Sequence, residues 1–185
     1  QIATALEQEI EERREHPQDL IVFVDQIAAL LHEAGLHRQP LLRLRALSLD
    51  LEQSAGDKNE HALLSSMHWL AAAHRDMGDY EQAATLYKRC LEAKERLLGT
   101  EQPDTLITVG NLAGLLKDMG NYEQAETLYK RCLEARERLL GAVHPDTLTT
   151  VGNLAGLFQE MGDYVQAEAL YERCLGACEW RVGPE

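Results

Sequence analysis

The sequence predicts an all-α fold, a solenoid of antiparallel helix pairs stacked one upon the next. Two observations carry that expectation. A block of the chain recurs at a fixed interval of 42 residues, and within each copy apolar residues fall at helical spacing twice, split by a glycine turn. Composition points the same way: of 185 residues 45% are hydrophobic, but only 5% are aromatic, while Leu, Ala and Glu are plentiful.

The recurrence is plain in the second half of the chain. Pro103 to Gly141 reads PDTLITVGNLAGLLKDMGNYEQAETLYKRCLEARERLLG, and Pro145 to Gly183 reads PDTLTTVGNLAGLFQEMGDYVQAEALYERCLGACEWRVG. Of 39 aligned positions, 26 are identical. One period earlier, Trp69 to Gly99 gives WLAAAHRDMGDYEQAATLYKRCLEAKERLLG.

Within a unit the elements follow in order. Val109, Leu112, Ala113 and Leu116 lie at i, i+3, i+4 and i+7, one stripe of a first helix. Gly120-Asn121 breaks it, and Asp79 and Asp163 occupy the position of Asn121 in the flanking units. Glycine tolerates the left-handed conformation that ends a helix, and Asn or Asp is expected to cap the next one. Tyr122, Ala125, Tyr129, Cys132 and Leu133 form the stripe of the second helix, with small Ala125 allowing close approach. Gly141 stops that helix, and Pro145-Asp146 opens the next unit, proline suiting a first turn.

This spacing resembles the tetratricopeptide pattern, whose usual period is 34 residues. The matching residues are Val109-Leu112-Ala113-Leu116 with Ala125-Tyr129, Val151-Leu154-Ala155-Phe158 with Ala167-Tyr171, and Met67-Leu70-Ala71-His74 with Ala83-Tyr87. The longer unit, with its His-Pro-Asp-Thr-Leu linker, Asn-Leu-Ala and Gly-x-Tyr, is similar to the repeat of the kinesin light chain family. The resemblance is strong from about Asp57 to Gly183 and implies a right-handed superhelix whose first helices line a concave, ligand-binding groove. That family's coiled-coil heptads are missing, so a motor role has no support.

The expected organisation is a single repeat domain over 1–185. Residues 1–14 read as a preceding or capping helix, 15–56 as a degenerate first repeat, and 57–99, 100–141 and 142–185 as repeats two to four. Gly35 and Gly56 each lie 43 residues ahead of Gly78 and Gly99, and His16-Pro17 echoes His144-Pro145. The chain starts at Gln1 rather than Met, which reads as a piece of a longer protein.

Charge narrows the partners. The formal net charge of −13 repels phosphate backbones and anionic lipid, so neither nucleic acid nor a membrane surface is expected. The longest apolar stretch, Leu20 to Leu31, is interrupted by Asp25 and Gln26 and is too short to span a bilayer. A cytoplasmic protein is expected, with a protein or peptide ligand of neutral or basic character.

Little in the sequence points to chemistry. Cys90, Cys132 and Cys174 recur at the repeat period where a small core residue is wanted, so they read as buried, reduced thiols. Cys178 stacks one turn beyond Cys174, but two thiols without a matching His or Cys pair make a weak zinc signal. The seven histidines are scattered, and His68 and His74 face nearly opposite sides of a helix. No nucleophile elbow or phosphate loop is present. No enzyme activity, metal or cofactor is expected.

The candidate site is the inner face of the first helices. The resemblance places ligand-facing asparagines at Asn111 and Asn153, whose amides can bracket a peptide backbone of any sequence; bonding within their own hairpin is the alternative. Trp69 takes that place in repeat two. Gly110 with Gly114, and Gly152 with Gly156, fall four apart on the same side. Such glycines cost roughly 0.5–1 kcal/mol each against alanine, so either a neighbouring helix or a ligand should approach closely. Lys117, Asp118 and Glu160 lie further along these faces. The Lys and Arg residues with which relatives clamp chaperone tails or acidic cargo peptides are mostly replaced, by residues such as His68, Ala72 and the glycines. The expected function is a non-enzymatic scaffold holding a peptide or helix in this groove. The alternative is a regulatory array controlling a fused nucleotide-switch or protease module. The stripe of Leu170, Tyr171, Cys174, Leu175 and Cys178, with Trp180, is too apolar for a polar cap, which suggests end-to-end self-association through the last helix.

Overall fold

The computed structural model describes Ala46 and residues 60–182. The expected helix over 1–14 and the degenerate repeat over 15–56, Ala46 apart, lie outside the described residues, as do the side chains of Cys178 and Trp180. Six helices are described: α1 (Glu60–Asp76), α2 (Tyr80–Leu98), α3 (Pro103–Asp118), α4 (Tyr122–Leu140), α5 (Pro145–Met161) and α6 (Tyr164–Val182). There is no strand among the described residues, and the fold is an all-α helical repeat solenoid. The chain divides into two compact units, Gln1–Leu86 and Tyr87–Glu185, the boundary falling within α2.

In the first unit, α1 turns into α2 through Met77–Asp79. Gly78 takes φ +80°, a value that favours glycine, and this lets its N–H donate to the Arg75 carbonyl while the Asp79 N–H reaches back to His74. These paired bonds satisfy two carbonyls that the end of α1 would otherwise leave open. His74 Nδ1 lies 3.0 Å from the Asp79 carboxylate and fastens the same turn. Met67, Leu70, Ala71 and Ala83 are buried, as their spacing predicts.

The second unit holds two hairpins, α3 with α4 and α5 with α6, and α4 packs on α5. The first-helix stripe of Val109, Leu112, Ala113 and Leu116 is buried, and so are Ala125, Tyr129, Cys132 and Leu133 on α4. The α3–α4 turn repeats the geometry of the first unit: Gly120 N–H donates to Lys117 O at 2.9 Å and Asn121 N–H to Leu116 O at 2.8 Å. Pro103 and Pro145 occupy the first turns of α3 and α5, where a missing N–H costs nothing.

The caps differ from expectation in one respect. Asn121 begins α4 without a side-chain cap bond, accepting the Ala125 N–H through its backbone carbonyl only. Asp163 does cap α6, accepting from the Gln166 N–H at 3.1 Å and from its side-chain amide at 2.6 Å. These bonds favour the ionised carboxylate and hold Asp163 below the usual carboxylate range.

Neighbouring repeats are joined at recurrent positions. Arg136 on α4 donates to the Asp146 carbonyl at 2.7 Å and to Thr150 Oγ1 at 2.8 Å, both on α5. Lys94 on α2, one period earlier, donates to the Asp104 carbonyl of α3. Ion pairs recur with the same period, Arg131 with Glu95 at 2.5 Å and Arg173 with Glu137 at 2.6 Å. Each is a partly exposed pair and contributes about 0–1 kcal/mol.

Candidate binding face

The sequence-predicted residues fall in both units, and each group stands by itself. In the first, Trp69 is 48% exposed on α1, its ring edge-on to His68 with centroids 5.8 Å apart. A half-exposed indole offers a large apolar surface at small cost in conformational entropy.

In the second unit, Asn153 is exposed on α5 and Asn111 half-buried on α3. The glycines beside them do not behave alike. A Cβ placed on Gly110 or Gly152 would meet no atom of another element within 4 Å among the described residues. No neighbouring helix therefore accounts for these two. Gly114 is buried, and a Cβ on Gly156 would sit 3.8 Å from the Tyr171 hydroxyl of α6, an ordinary contact. On α3 and α5 the Gly110-Asn111 and Gly152-Asn153 steps thus present open backbone.

The charges on this face are partly spent. Lys117 on α3 bonds Glu160 on α5 at 2.7 Å, linking one repeat to the next. Asp118 is exposed. Gln159 accepts a hydrogen bond from the Tyr171 hydroxyl at 3.1 Å. Pairing with Glu160 neutralises Lys117, so the face offers little positive charge to an acidic ligand.

The thiols expected to be buried divide. Cys90 and Cys132 are fully buried, and burial pushes both thiols up from their ordinary value. Cys132 Sγ lies 3.5 Å from the Leu106 carbonyl, a weak donor contact inside its own hairpin. Cys174 is only half-buried, a departure from the expectation for all three: among the described residues no helix packs on α6 as α5 packs on α4. The same exposure marks Tyr171 at 40%, against 2% for Tyr129. None of the three thiols is in a disulfide.

The ligand groove was expected on the first helices, and a further groove lies elsewhere. It has a volume of about 370 Å³, with Leu133 and Glu134 of α4 on one wall, Ala169 and Leu170 of α6 on the other, and Leu154 and Phe158 of α5 between them. Ala169 and Phe158, standing where the preceding repeat has Thr127 and Leu116, were the available signal. Among the described residues, no cluster of three or more His, Cys, Asp or Glu could hold a metal, and no helix is long and apolar enough to cross a membrane.

The tetratricopeptide repeat family profile matches residues 62–116 and 106–179, more than half of the chain. No curated protein matches the sequence significantly. Among solved structures, BtubC (BKLC) from P. vanneervenii is similar, with a TM-score of 0.76 and 24% identity over 96% of this chain and 72% of that one. A kinesin light chain-like protein of Podosopora anserina, with nearly identical TPR-like repeats, gives a TM-score of 0.67 at 19% identity, covering 94% of each chain. MamA gives 0.65 at 11% identity over 93% of this chain and 85% of the other. At these identities the likeness speaks for the fold.

Proposed function

This chain belongs to the tetratricopeptide repeat family, with repeats of the kinesin light chain type, and from that premise we propose that it is a non-enzymatic scaffold gripping a peptide or helix of another protein. Repeats of this family are in general protein-interaction scaffolds. The ligand lies along α3 and α5, across Gly110-Asn111 and Gly152-Asn153. The observation that carries this reading is the open backbone beside each asparagine. A side chain there would hold a ligand off, whereas glycine admits a ligand backbone to the reach of the amide.

The preference is for neutral or basic sequences. Lys117 and Glu160 cancel in their ion pair, and the exposed Asp118 supports that sign. The working location is the cytoplasm. Peptide arrays read at low and moderate salt provide the test. Asn111→Ala with Asn153→Ala removes two amide brackets and should weaken binding about tenfold. Selection of acidic peptides, or binding indifferent to the double substitution, would sink the proposal.

A second mode of association concerns α6. Tyr171 and Leu175 are 40% and 64% exposed, whereas their counterparts Tyr129 and Leu133 on α4 are covered by α5. A surface built like a repeat-to-repeat interface and left open supports end-to-end stacking of two copies.

A further inference from the structure

The groove between α4 and α6 is independent of the asparagine face. Leu154 and Phe158 form its floor, and Asn153 lies about 100° around α5 from Leu154. Its α6 wall is lower than the repeat pattern dictates. In α2 and α4 the position of Ala169 is threonine, and the Thr85 and Thr127 hydroxyls each donate to the carbonyl four residues back at 2.9 Å. Ala169 has neither the hydroxyl nor the γ-methyl group, and Phe158 supplies a broader aromatic floor than leucine.

Charge at the rim says what fits. Lys130 is engaged twice, by Glu126 at 2.5 Å and by the Phe158 ring 5.9 Å away. Glu137 is held by Arg173 at 2.6 Å. Glu134, exposed on the α4 wall, has no ion pair or side-chain hydrogen bond among the described residues. The uncommitted charge at this apolar groove is therefore negative.

We propose that the groove formed by Leu133, Glu134, Leu154, Phe158, Ala169 and Leu170 is a second docking site, taking a partner segment that inserts one large apolar side chain beside a lysine or arginine. The apolar side chain displaces water from Phe158 and Leu170, and the cation pairs with Glu134. Phe158 and Ala169 adapt one repeat of an otherwise regular array to a single anchor residue.

A phage-displayed library of random peptides, panned on the full chain, tests the assignment. The expected selection is a Leu, Ile, Met or aromatic residue within one helical turn of Lys or Arg. Selected peptides should lose at least about tenfold in affinity on Ala169→Trp, which fills the groove, and on Glu134→Lys, which reverses its charge. They should bind the Asn111→Ala, Asn153→Ala protein unchanged, which separates this site from the asparagine face. Both positions are exposed, so the substitutions should leave the thermal unfolding of the chain as it was. An acidic consensus, the absence of any selected binder, or peptides indifferent to both Ala169→Trp and Glu134→Lys would overturn the proposal.

Discussion

Replacing Gly110 and Gly152 together by alanine separates structure from binding. Both lie well inside helices, where glycine is less favourable than alanine by roughly 0.5–1 kcal/mol. Neither position has a neighbour within 4 Å of the new methyl group among the described residues, so no overpacking offsets the gain. The pair should stabilise the protein by about 1–2 kcal/mol, which for a chain of this size raises Tm by about 2–8 °C. Urea unfolding followed by circular dichroism should show a higher midpoint at unchanged slope. Gly120→Ala is the internal control: at φ +78° the methyl group is strained, and the midpoint should fall. Peptide binding at the asparagine face should weaken in the double alanine protein even as stability rises. A fall in stability of the double variant would refute the reasoning, because it would mean that packing occupies the space read here as open.

Four other outcomes follow from the packing. In a Cys178→Ser background, a thiol reagent should label Cys174 in the native state, with Cys90 and Cys132 reacting only on unfolding; equal rates would contradict their burial. Burial raises the pKa of the last two, so the folded state retains their protons where the unfolded state has lost them. Their contribution is complete below the ordinary thiol pKa and declines as pH rises through and above it; denaturation of Cys90→Ala, Cys132→Ala should be less alkali-sensitive. Arg136→Ala should cost about 1–3 kcal/mol by removing two bonds to α5, against less than about 1 kcal/mol for Arg131→Ala at the exposed Glu95 pair, both read by chemical denaturation. Sedimentation should show a concentration-dependent dimer that Tyr171→Glu abolishes; a monomer at every concentration would rule out stacking through α6.

Much of the fold was legible because period and stripe are local signals. Val109, Leu112 and Ala113 repeat at spacings that only a helix buries on one side, and Gly120 marks the turn without reference to anything distant. The site was less legible for the opposite reason. Gly110 and Gly114 look equivalent in sequence, yet one lies in open space and the other is buried, a difference that helical spacing alone does not encode. Asn121 and Asp163 hold the same position in the repeat, but only the carboxylate caps its helix. The groove over Phe158 is assembled from three helices, so the stripe of no single helix displays it. Lys117 looked free until the fold brought Glu160, 43 residues away in sequence, to its side.

The near-identity of the two hairpins bears on how the chain finds its native state. The stripes of α3 and α5 are interchangeable at most positions, as are those of α4 and α6, so α3 closing on α6 would bury much the same surface as α3 closing on α4. What disfavours the exchange is chiefly the longer loop, an entropic difference of about 2 kcal/mol. Adjacent repeats this alike are prone to misassembly during folding. Correct pairing therefore depends on speed, the short glycine turns letting each hairpin close before its neighbour's helix arrives. Residues that break the likeness, Arg136 opposite Cys178 and Phe158 opposite Leu116, also serve as markers by which one hairpin is told from the other.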